Sequence, residues 1–333
     1  SDLNMWEVVP LLGYGIVEQQ GTQNPEEDET TCRTLTTEDL ISEELLLPQP
    51  EETQQTALIP ESVEATAGTA LSNFRPAVQQ VQIDRTQLAD YETLVRNFYA
   101  IDANTMAGSD QLSVEKLLGM DMTLPQEGDG PQILIYHTHS QEAFADSVPG
   151  DVNTGIVGVG ECLTKILTEQ YGYRVLHNTG QYDVETRDNA YSRALPAVEQ
   201  ILAENPSIQV IIDLHRDEVA EETKLVTDIQ GRPTARFMFF NGLSRTRKTG
   251  DIDYLANENQ EANLAFSFQM QLKAAEYYPG LTRRIYLKGY RYNMHLRPRT
   301  LLVELGAQNN TVEEAINACD PLAHILDMVL KGE

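Results

Sequence analysis

The chain has 333 residues, with 24 Lys and Arg against 51 Asp and Glu, which gives a formal net charge of −27. This balance argues against nucleic acid or an anionic membrane surface as the main partner, because both need a basic face. At 41% hydrophobic residues the chain can bury a large core, and its length suits about two domains, or one large domain with tails. The three cysteines, Cys32, Cys162 and Cys319, are too few and too far apart for a disulfide-built scaffold.

Membrane and export signals are the next features that the sequence excludes. No stretch approaches about 20 consecutive apolar residues, so no transmembrane helix is predicted. A basic-then-apolar signal segment is also missing. Because the chain starts at Ser1 rather than at Met, we expect it to be trimmed, and a lost upstream anchor would not be visible in it.

The negative charge is concentrated at the N-terminus. Residues 1–84 hold sixteen Asp and Glu but only two basic residues, a net charge of −14. They show no sustained helical or strand period, and a segment of high charge and low hydrophobicity cannot offset the entropy of ordering. Residues 1–84 are therefore predicted to be an acidic, mostly disordered tether, acting either as a solvated spacer or as a partner-binding segment.

A helical lead-in segment is predicted over residues 85–130. Asp84 is a polar N-cap followed by apolar residues at helical spacing, from Leu88 to Phe98. Residues 113–118 suggest a second short helix. The turn-rich run 126–131 then links this segment to the rest of the chain.

Residues 131–333 alternate between strand-like and helix-like patterns. Strands are predicted at 133–136, 173–176, 208–214, 224–229, 236–240, 284–287 and 300–304, with 224–229 and 236–240 forming a hairpin. Helices are predicted at 156–171, 188–205, 253–277 and 311–330, the last starting with a capping box. This order predicts an α/β domain with a mixed, largely parallel sheet flanked by helices.

Histidine and glutamate side chains follow the ends of the most apolar strands. His139 and Glu142 come after the first strand with His-x-x-Glu spacing, and His215 ends another strand. Parallel sheets place their sites beyond the carboxyl ends of the strands, so these three side chains can meet. Two His and one Glu with an open fourth position are typical of catalytic zinc.

Two further charged residues suit catalysis next to such a metal. Glu304 ends the last strand and is predicted to be a general base for the water that the metal activates. Arg216, beside His215, is predicted to offer a cation to a developing oxyanion.

Three more residues are assigned to orienting a ligand or contacting substrate: His137, Asp217 and His295. His137 is also a rival to His139 as metal ligand. The two are i,i+2 and would face the same side of an extended chain. The Glu three residues beyond His139 favours His139, and the choice between the two stays open at the level of sequence.

Three ordered motifs resemble the stage II sporulation protein P family. They are ILIYHTHSQE at 133–142, VIIDLHRD at 210–217 and LLVELGAQNNTVEEA at 301–315. Two upstream segments, 95–102 and 115–121, are also similar to that family. The resemblance covers about residues 85–330.

Membership of that family would imply a phosphorylase/hydrolase-like α/β fold, shared by zinc amidases and zinc carboxypeptidases. It implies a Zn²⁺-dependent N-acetylmuramoyl-L-alanine amidase that also acts as an endopeptidase on cross-links of peptidoglycan. His139, Glu142 and His215 match the family's metal ligands, and Glu304 matches its acid/base. The resemblance further implies a protein anchored in the cell membrane by an N-terminal helix absent from this chain. Its catalytic domain would lie on the wall side, beside stage II sporulation proteins D and M.

Two alternatives are compatible with the same residues. A zinc carboxypeptidase would use the same metal set, with Arg216 or Arg297 binding the terminal carboxylate of a wall peptide. A metal-free scaffold would bind the wall without cleaving it and would use the acidic arm to recruit partners.

Overall fold

The computed structural model of the protein describes residues 74–125 and 128–333. Predictions that concern residues 1–73 lie outside this part of the chain. The helices are α1 (Tyr91–Phe98), α2 (Val114–Gly119), α3 (Ile156–Glu169), α4 (Ala190–Glu204), α5 (Gln260–Tyr277) and α6 (Val312–Lys331). The strands are β1 (Tyr99–Ile101), β2 (Ile133–Tyr136), β3 (Val175–His177), β4 (Val210–Asp217), β5 (Val226–Ile229), β6 (Arg232–Ala235), β7 (Phe237–Gly242), β8 (Arg245–Thr246), β9 (Gly250–Asp251), β10 (Ile285–Lys288) and β11 (Thr300–Ala307).

Seven strands form one central sheet in the order β1-β10-β7-β11-β4-β2-β3. Neighbouring strands are parallel throughout except for β11 and β7, which are antiparallel. The predicted fold class, α/β with a mixed and largely parallel sheet flanked by helices, is confirmed. Since β1 belongs to this sheet, part of the predicted lead-in segment 85–130 shares the core of the following domain.

The two faces of the sheet are covered differently. On one face, Ile133, Ile135 and Val303 belong to the main core that α3, α5 and α6 complete. On the other face, Leu134 and Ile211 pack against α4. Side chains alternate along a strand, so residues 211, 213 and 215 of β4 all point to the α4 face, and the same face receives residues 302 and 304 of β11.

Several predicted elements were placed inaccurately. The N-cap of α1 is Asp90, whose side chain accepts from the Thr93 amide, whereas Asp84 precedes a separate 3-10 turn. The predicted hairpin of 224–229 with 236–240 is wrong, because β5 pairs with β6. Residues 237–242 instead form β7, buried in the central sheet.

Ordered structure begins before the predicted boundary at residue 84. Residues 74–83, which we call the strap, lie against the end of α5 without regular secondary structure. The amides of Gln80 and Val81 donate to the Glu276 carbonyl at 2.9 and 3.0 Å. The ring of Phe74 stacks on Tyr278 with 6.3 Å between centroids. Those contacts anchor the strap to the core, although its composition alone suggested a tether.

In the described ranges, the helices are all too short or too polar to cross a bilayer.

Candidate metal centre

The structure brings together the side chains of His139, Glu142 and His215. One ligand atom from each lies within 4.8 Å of the others. The three residues are 0%, 2% and 0% exposed. His139 and Glu142 belong to the turn after β2, and His215 lies on the neighbouring strand β4. Adjacent parallel strands ending at one edge of the sheet therefore produce the convergence that the sequence predicted.

His139 is buried without hydrogen-bond partners. Neither of its ring nitrogens has one among the described residues, and Nδ1 lies 3.7 Å from Oε1 of Glu142. Burial, and then the nearby charge on His215, lower the pKa of His139 to about 3, so the ring is neutral at neutral pH. A neutral imidazole with an unused buried nitrogen is costly unless something binds it.

His215 is oriented by a carboxylate that the sequence analysis did not single out. Its Nε2 lies 2.8 Å from Asp213 Oδ1, a close ionic contact rather than a well-aligned hydrogen bond. Although burial disfavours the charged ring, Asp213 raises the pKa of His215 well above its usual value. Asp213 is itself fixed by the amide and hydroxyl of Thr138, at 2.9 and 2.7 Å. When a metal binds, Asp213 would keep one ring proton on Nε2, which leaves Nδ1, 3.6 Å from Glu142, as the ligand atom.

Glu142 receives one proton donor on each carboxylate oxygen. Nη2 of Arg187 donates to Oε1 at 2.8 Å, and the backbone amide of Arg216 donates to Oε2 at 2.8 Å. Burial alone would raise the pKa of Glu142, but His215 and these arginines hold it well below its usual range. Glu142 is therefore an ionised, immobilised carboxylate.

Glu304 lies beside this group without joining it. It pairs in register with His215 across β11 and β4, and it is 0% exposed. Neither carboxylate oxygen has a hydrogen-bond partner in the described chain. Burial, and then the neighbouring Asp217 carboxylate, raise the pKa of Glu304 to about 8. The strand pairing is irregular just after Glu304, where Gly306 has a φ of +65°, and such bulges often re-aim side chains near active sites.

The other two predicted residues on β4 point to neighbouring groups. Asp217 forms a fully buried ion pair with Arg283, at 2.7 Å, and burial raises the pKa of Asp217. The guanidinium of Arg216 donates to the main-chain carbonyls of Ala143 and Asp217, at 3.1 and 3.3 Å. Its backbone amide, rather than its guanidinium, contacts Glu142.

His137 is turned away from the three converging side chains. Its Nδ1 bonds the Leu214 carbonyl at 2.8 Å, and its Nε2 lies 2.9 Å from Nε2 of His177. His177 in turn contacts Glu161 at 3.0 Å. The geometry thus favours His139 over His137 as the ligand. His295 is not part of the cluster either, and its carbonyl accepts from Asn259 at 2.6 Å.

The donor set fits a divalent zinc ion. It offers two imidazole nitrogens and one carboxylate oxygen, the types that zinc prefers at catalytic sites. His215 has the supporting carboxylate that accompanies metal-bound imidazoles. The ring nitrogens of His139 have no hydrogen-bond partner in the described chain, which is expected when the residue binds a cation.

Sequence reasoning missed three residues at this site. Asp213 had a usable signal, since it lies two residues before His215 on the same strand and must face the same way. Arg187 and Tyr191 had none, because the irregular segment that leads into α4 places Arg187 and the first turn of α4, which carries Tyr191. The Tyr191 ring lies edge-on to His139, with centroids 5.6 Å apart, and stacks on His215 at 6.2 Å.

The sequence model described as stage II sporulation protein P matches residues 32–327. The chain therefore belongs to the stage II sporulation protein P family. The match begins within the predicted tether, so the resemblance starts earlier than the expected residue 85.

Individual relatives were found by sequence and by structure. Stage II sporulation protein P of Bacillus subtilis (strain 168) is 26% identical over 217 residues, covering 60% of this chain and 51% of that protein. The chain thus spans about half the length of this relative. Among solved structures, N-acetylmuramoyl-L-alanine amidase AmiC2 of Nostoc punctiforme is 12% identical with a TM-score of 0.37, covering 61% of this chain and 97% of that one. The CwlD amidase from Clostridioides difficile, solved in complex with the GerS lipoprotein, is 13% identical with a TM-score of 0.35, covering 60% and 95%.

Proposed function

We propose that the protein is a zinc-dependent peptidoglycan hydrolase that cleaves the amide between N-acetylmuramic acid and L-alanine during sporulation. The observation that carries this proposal is the buried convergence of His139, Glu142 and His215 with Glu304 beside them. Family membership supports the sporulation context and the wall polymer as substrate. Cleavage of peptide cross-links by the same site is part of the proposal.

His139, Glu142 and His215 would hold the ion through two ring nitrogens and one carboxylate oxygen. When bound, a zinc ion would lower the pKa of water to about 7 and polarise the scissile carbonyl. Asp213 would keep one ring proton of His215 on Nε2, so that the unprotonated Nδ1, on the side of Glu142, can bind the ion. Arg187 and the Arg216 amide keep Glu142 ionised and in place.

Glu304 is the proposed acid and base. As base it accepts a proton from the attacking water, and as acid it returns that proton to the alanine nitrogen while the C–N bond breaks. The burial that raises its pKa supports this double role, because a carboxyl that is not held strongly in its ionised form can both take and give a proton. Arg216 remains the proposed cation for the oxyanion, with Arg187 now a second guanidinium at the site.

Placement and partners are proposed on the basis of the family. A hydrolase of wall polymer must work on the outer side of the cell membrane, and we propose an anchored protein that acts there beside stage II sporulation proteins D and M. Co-purification of this chain with each of those two proteins would test the partnership.

Digestion of purified peptidoglycan tests the activity directly. Wild type and Glu304→Ala would be incubated with the polymer, and the products would be resolved by mass. Release of intact stem peptides by wild type alone would support the amidase. Peptides shortened by single terminal residues would instead indicate a carboxypeptidase. An absence of products, together with an absence of stoichiometric zinc, would indicate a binding scaffold.

A further inference from the structure

The turn that carries two of the proposed ligands has little regular structure of its own. β2 ends at Tyr136, and residues 138–141 form turns rather than helix or strand. The positions of His139 and Glu142 must therefore be set by contacts from elsewhere. A metal site requires its ligands to be held within about 0.5 Å of the productive geometry.

One segment supplies several of those contacts, and we call residues 183–191 the bracing segment. Asp183 accepts from the amide and hydroxyl of Ser140, at 3.1 and 2.8 Å, and from the amide of Gln141 at 3.2 Å. These bonds fix the two residues between the proposed ligands. At the other end of the segment, the Tyr191 ring packs on His139 and on His215.

Arg187, in the middle of the bracing segment, contacts a proposed ligand directly. Its side chain is 30% exposed, whereas that of Glu142 is 1% exposed, and 2.8 Å separates Nη2 from Oε1. With the Arg216 amide on Oε2, both oxygens are restrained and the carboxylate cannot rotate freely. Arg187 provides the side-chain half of this restraint, which substitution can remove.

We propose that Arg187 is a positioning residue that fixes Glu142 as a metal ligand, so that this one contact raises the affinity of the site for zinc. This inference rests on the proposed metal site. Partners of metal ligands typically change affinity by about 10- to 100-fold when removed. A buried carboxylate that loses its cation also loses the charge that keeps it ionised and oriented.

Zinc affinity measured by competition with a chromophoric chelator tests the proposal without using activity. We expect Arg187→Met to weaken zinc binding about 10- to 100-fold. We expect Arg187→Lys to recover part of the loss, because an ammonium keeps the charge but not the planar fork.

Arg193→Met is the matched control. Arg193 also stabilises the region of the bracing segment, but it does so by donating to the carbonyls of Tyr182 and Thr186. Zinc affinity of this variant should stay within about twofold of wild type. An equal loss in Arg193→Met, or wild-type affinity in Arg187→Met, would overturn the role of Arg187.

A double-mutant cycle in metal-free protein separates this inference from the proposed function. Arg187→Met should lower the urea midpoint in the wild-type background and lower it less in Glu142→Gln, where the charge of the ligand is gone. Equal shifts in the two backgrounds would overturn the pairing. Wild-type protein that binds no zinc would overturn the metal site, and the proposed role of Arg187 with it.

Discussion

Glu304 differs from Glu142, the carboxylate of the proposed metal site, because it is buried with neither oxygen bonded to a described partner, whereas both oxygens of Glu142 accept hydrogen bonds. A group in that state is suited to exchanging a proton with substrate rather than to holding an ion. We predict that Glu304→Gln keeps zinc near the wild-type level and lowers hydrolysis by about 10²- to 10⁴-fold, the usual contribution of positioned acid–base catalysis. Zinc content and product release from peptidoglycan are the two measurements.

His139→Ala is the comparison for that variant, because it removes a proposed ligand. It should lose zinc and activity together. A fully active Glu304→Gln protein would make Glu304 a bystander, and one that loses its zinc would make Glu304 a ligand. Either result would move the search for the base to another carboxylate, with Glu142 next.

Asp213 provides a second test at the scale of single residues. It is 1% exposed and faces Nε2 of His215, so its charge fixes which nitrogen carries the proton. We predict that Asp213→Asn weakens zinc binding about 10-fold, measured by chelator competition. Asp251→Asn, which alters an exposed ion pair with Arg245, should leave zinc affinity unchanged. A normal affinity for Asp213→Asn would contradict this assignment.

The extent to which the site could be predicted follows from how each residue is positioned. His139, Glu142, His215 and Glu304 lie on or just beyond strongly apolar strands, and strand ends in a parallel sheet meet by geometry. Arg187 and Tyr191 depend instead on an irregular segment that turns through Asn189 at a φ of +62°. No local pattern encodes that path, so the sequence could not place them.

At the scale of elements, local signals predicted well and long-range pairing did not. The capping box at Thr311 and Glu314 was confirmed, because both partners lie within one turn. The hairpin failed for the opposite reason. Residues 237–242 are apolar enough for either pairing, and the choice of β11 and β10 as partners is decided by burial in the central sheet.

Glu314 gives a prediction about pH. Its carboxylate accepts from Lys224 at 2.8 Å and from the Thr311 amide at 3.0 Å. Although burial opposes it, these bonds lower the pKa of Glu314 below its ordinary value of 4.5. We predict that Glu314→Gln lowers the free energy of unfolding by about 1 kcal/mol at pH 7, since a charge-assisted contact becomes neutral.

The pH dependence of that difference identifies its origin. A lowered pKa in the folded state stabilises the protein above the unfolded pKa, and this contribution disappears as the pH falls through the folded value. The difference between wild type and Glu314→Gln should therefore be full at pH 7 and shrink below about 4.5. Urea denaturation across this range measures it, and a difference that does not change with pH would contradict the charge as its cause.

Gly160 provides a test of the packing between α3 and the strands. A Cβ added there would meet Nε2 of His137 at 2.6 Å and Nε2 of His177 at 2.7 Å. In an open helix Gly→Ala is stabilising by up to about 1 kcal/mol, but here we predict a loss of roughly 1–3 kcal/mol from the clash. Gly119→Ala is the control, because nothing lies within 4 Å of the added atom. Thermal unfolding of both variants measures the change in stability. A higher stability of Gly160→Ala would show that the rings of His137 and His177 can separate freely.

At the scale of the whole molecule, the acidic N-terminal quarter and the residues of the proposed site are separate along the sequence. The proposed ligands and the base all lie between residues 139 and 304, while residues 1–84 carry a net charge of −14. The family match nevertheless begins at residue 32. Residues 32–73 therefore belong to the family's common sequence without contributing a residue to the proposed chemistry.

Two truncations separate the strap from the residues that precede it. Deleting residues 1–73 should leave hydrolysis of soluble glycan fragments unchanged, because the proposed site lies wholly beyond them. Deleting residues 1–84 removes the strap as well. The lost contacts include the Phe74 stack and the bonds from Ala77, Gln80 and Val81 to the end of α5.

We expect the longer deletion to lower the melting temperature by roughly 5–10 °C, since several contacts of about 1 kcal/mol each are lost and each kcal/mol is worth about 2–4 °C at this size. The protein that lacks residues 1–73 should have the same melting temperature as the full chain. Calorimetry on all three proteins, alongside the fragment assay, measures both effects. Equal melting of the two truncations would mean that the strap adds nothing to stability. Loss of fragment hydrolysis in the shorter one would place part of the catalytic machinery before residue 74, whereas a defect confined to partner binding or wall targeting would agree with a role outside the chemistry.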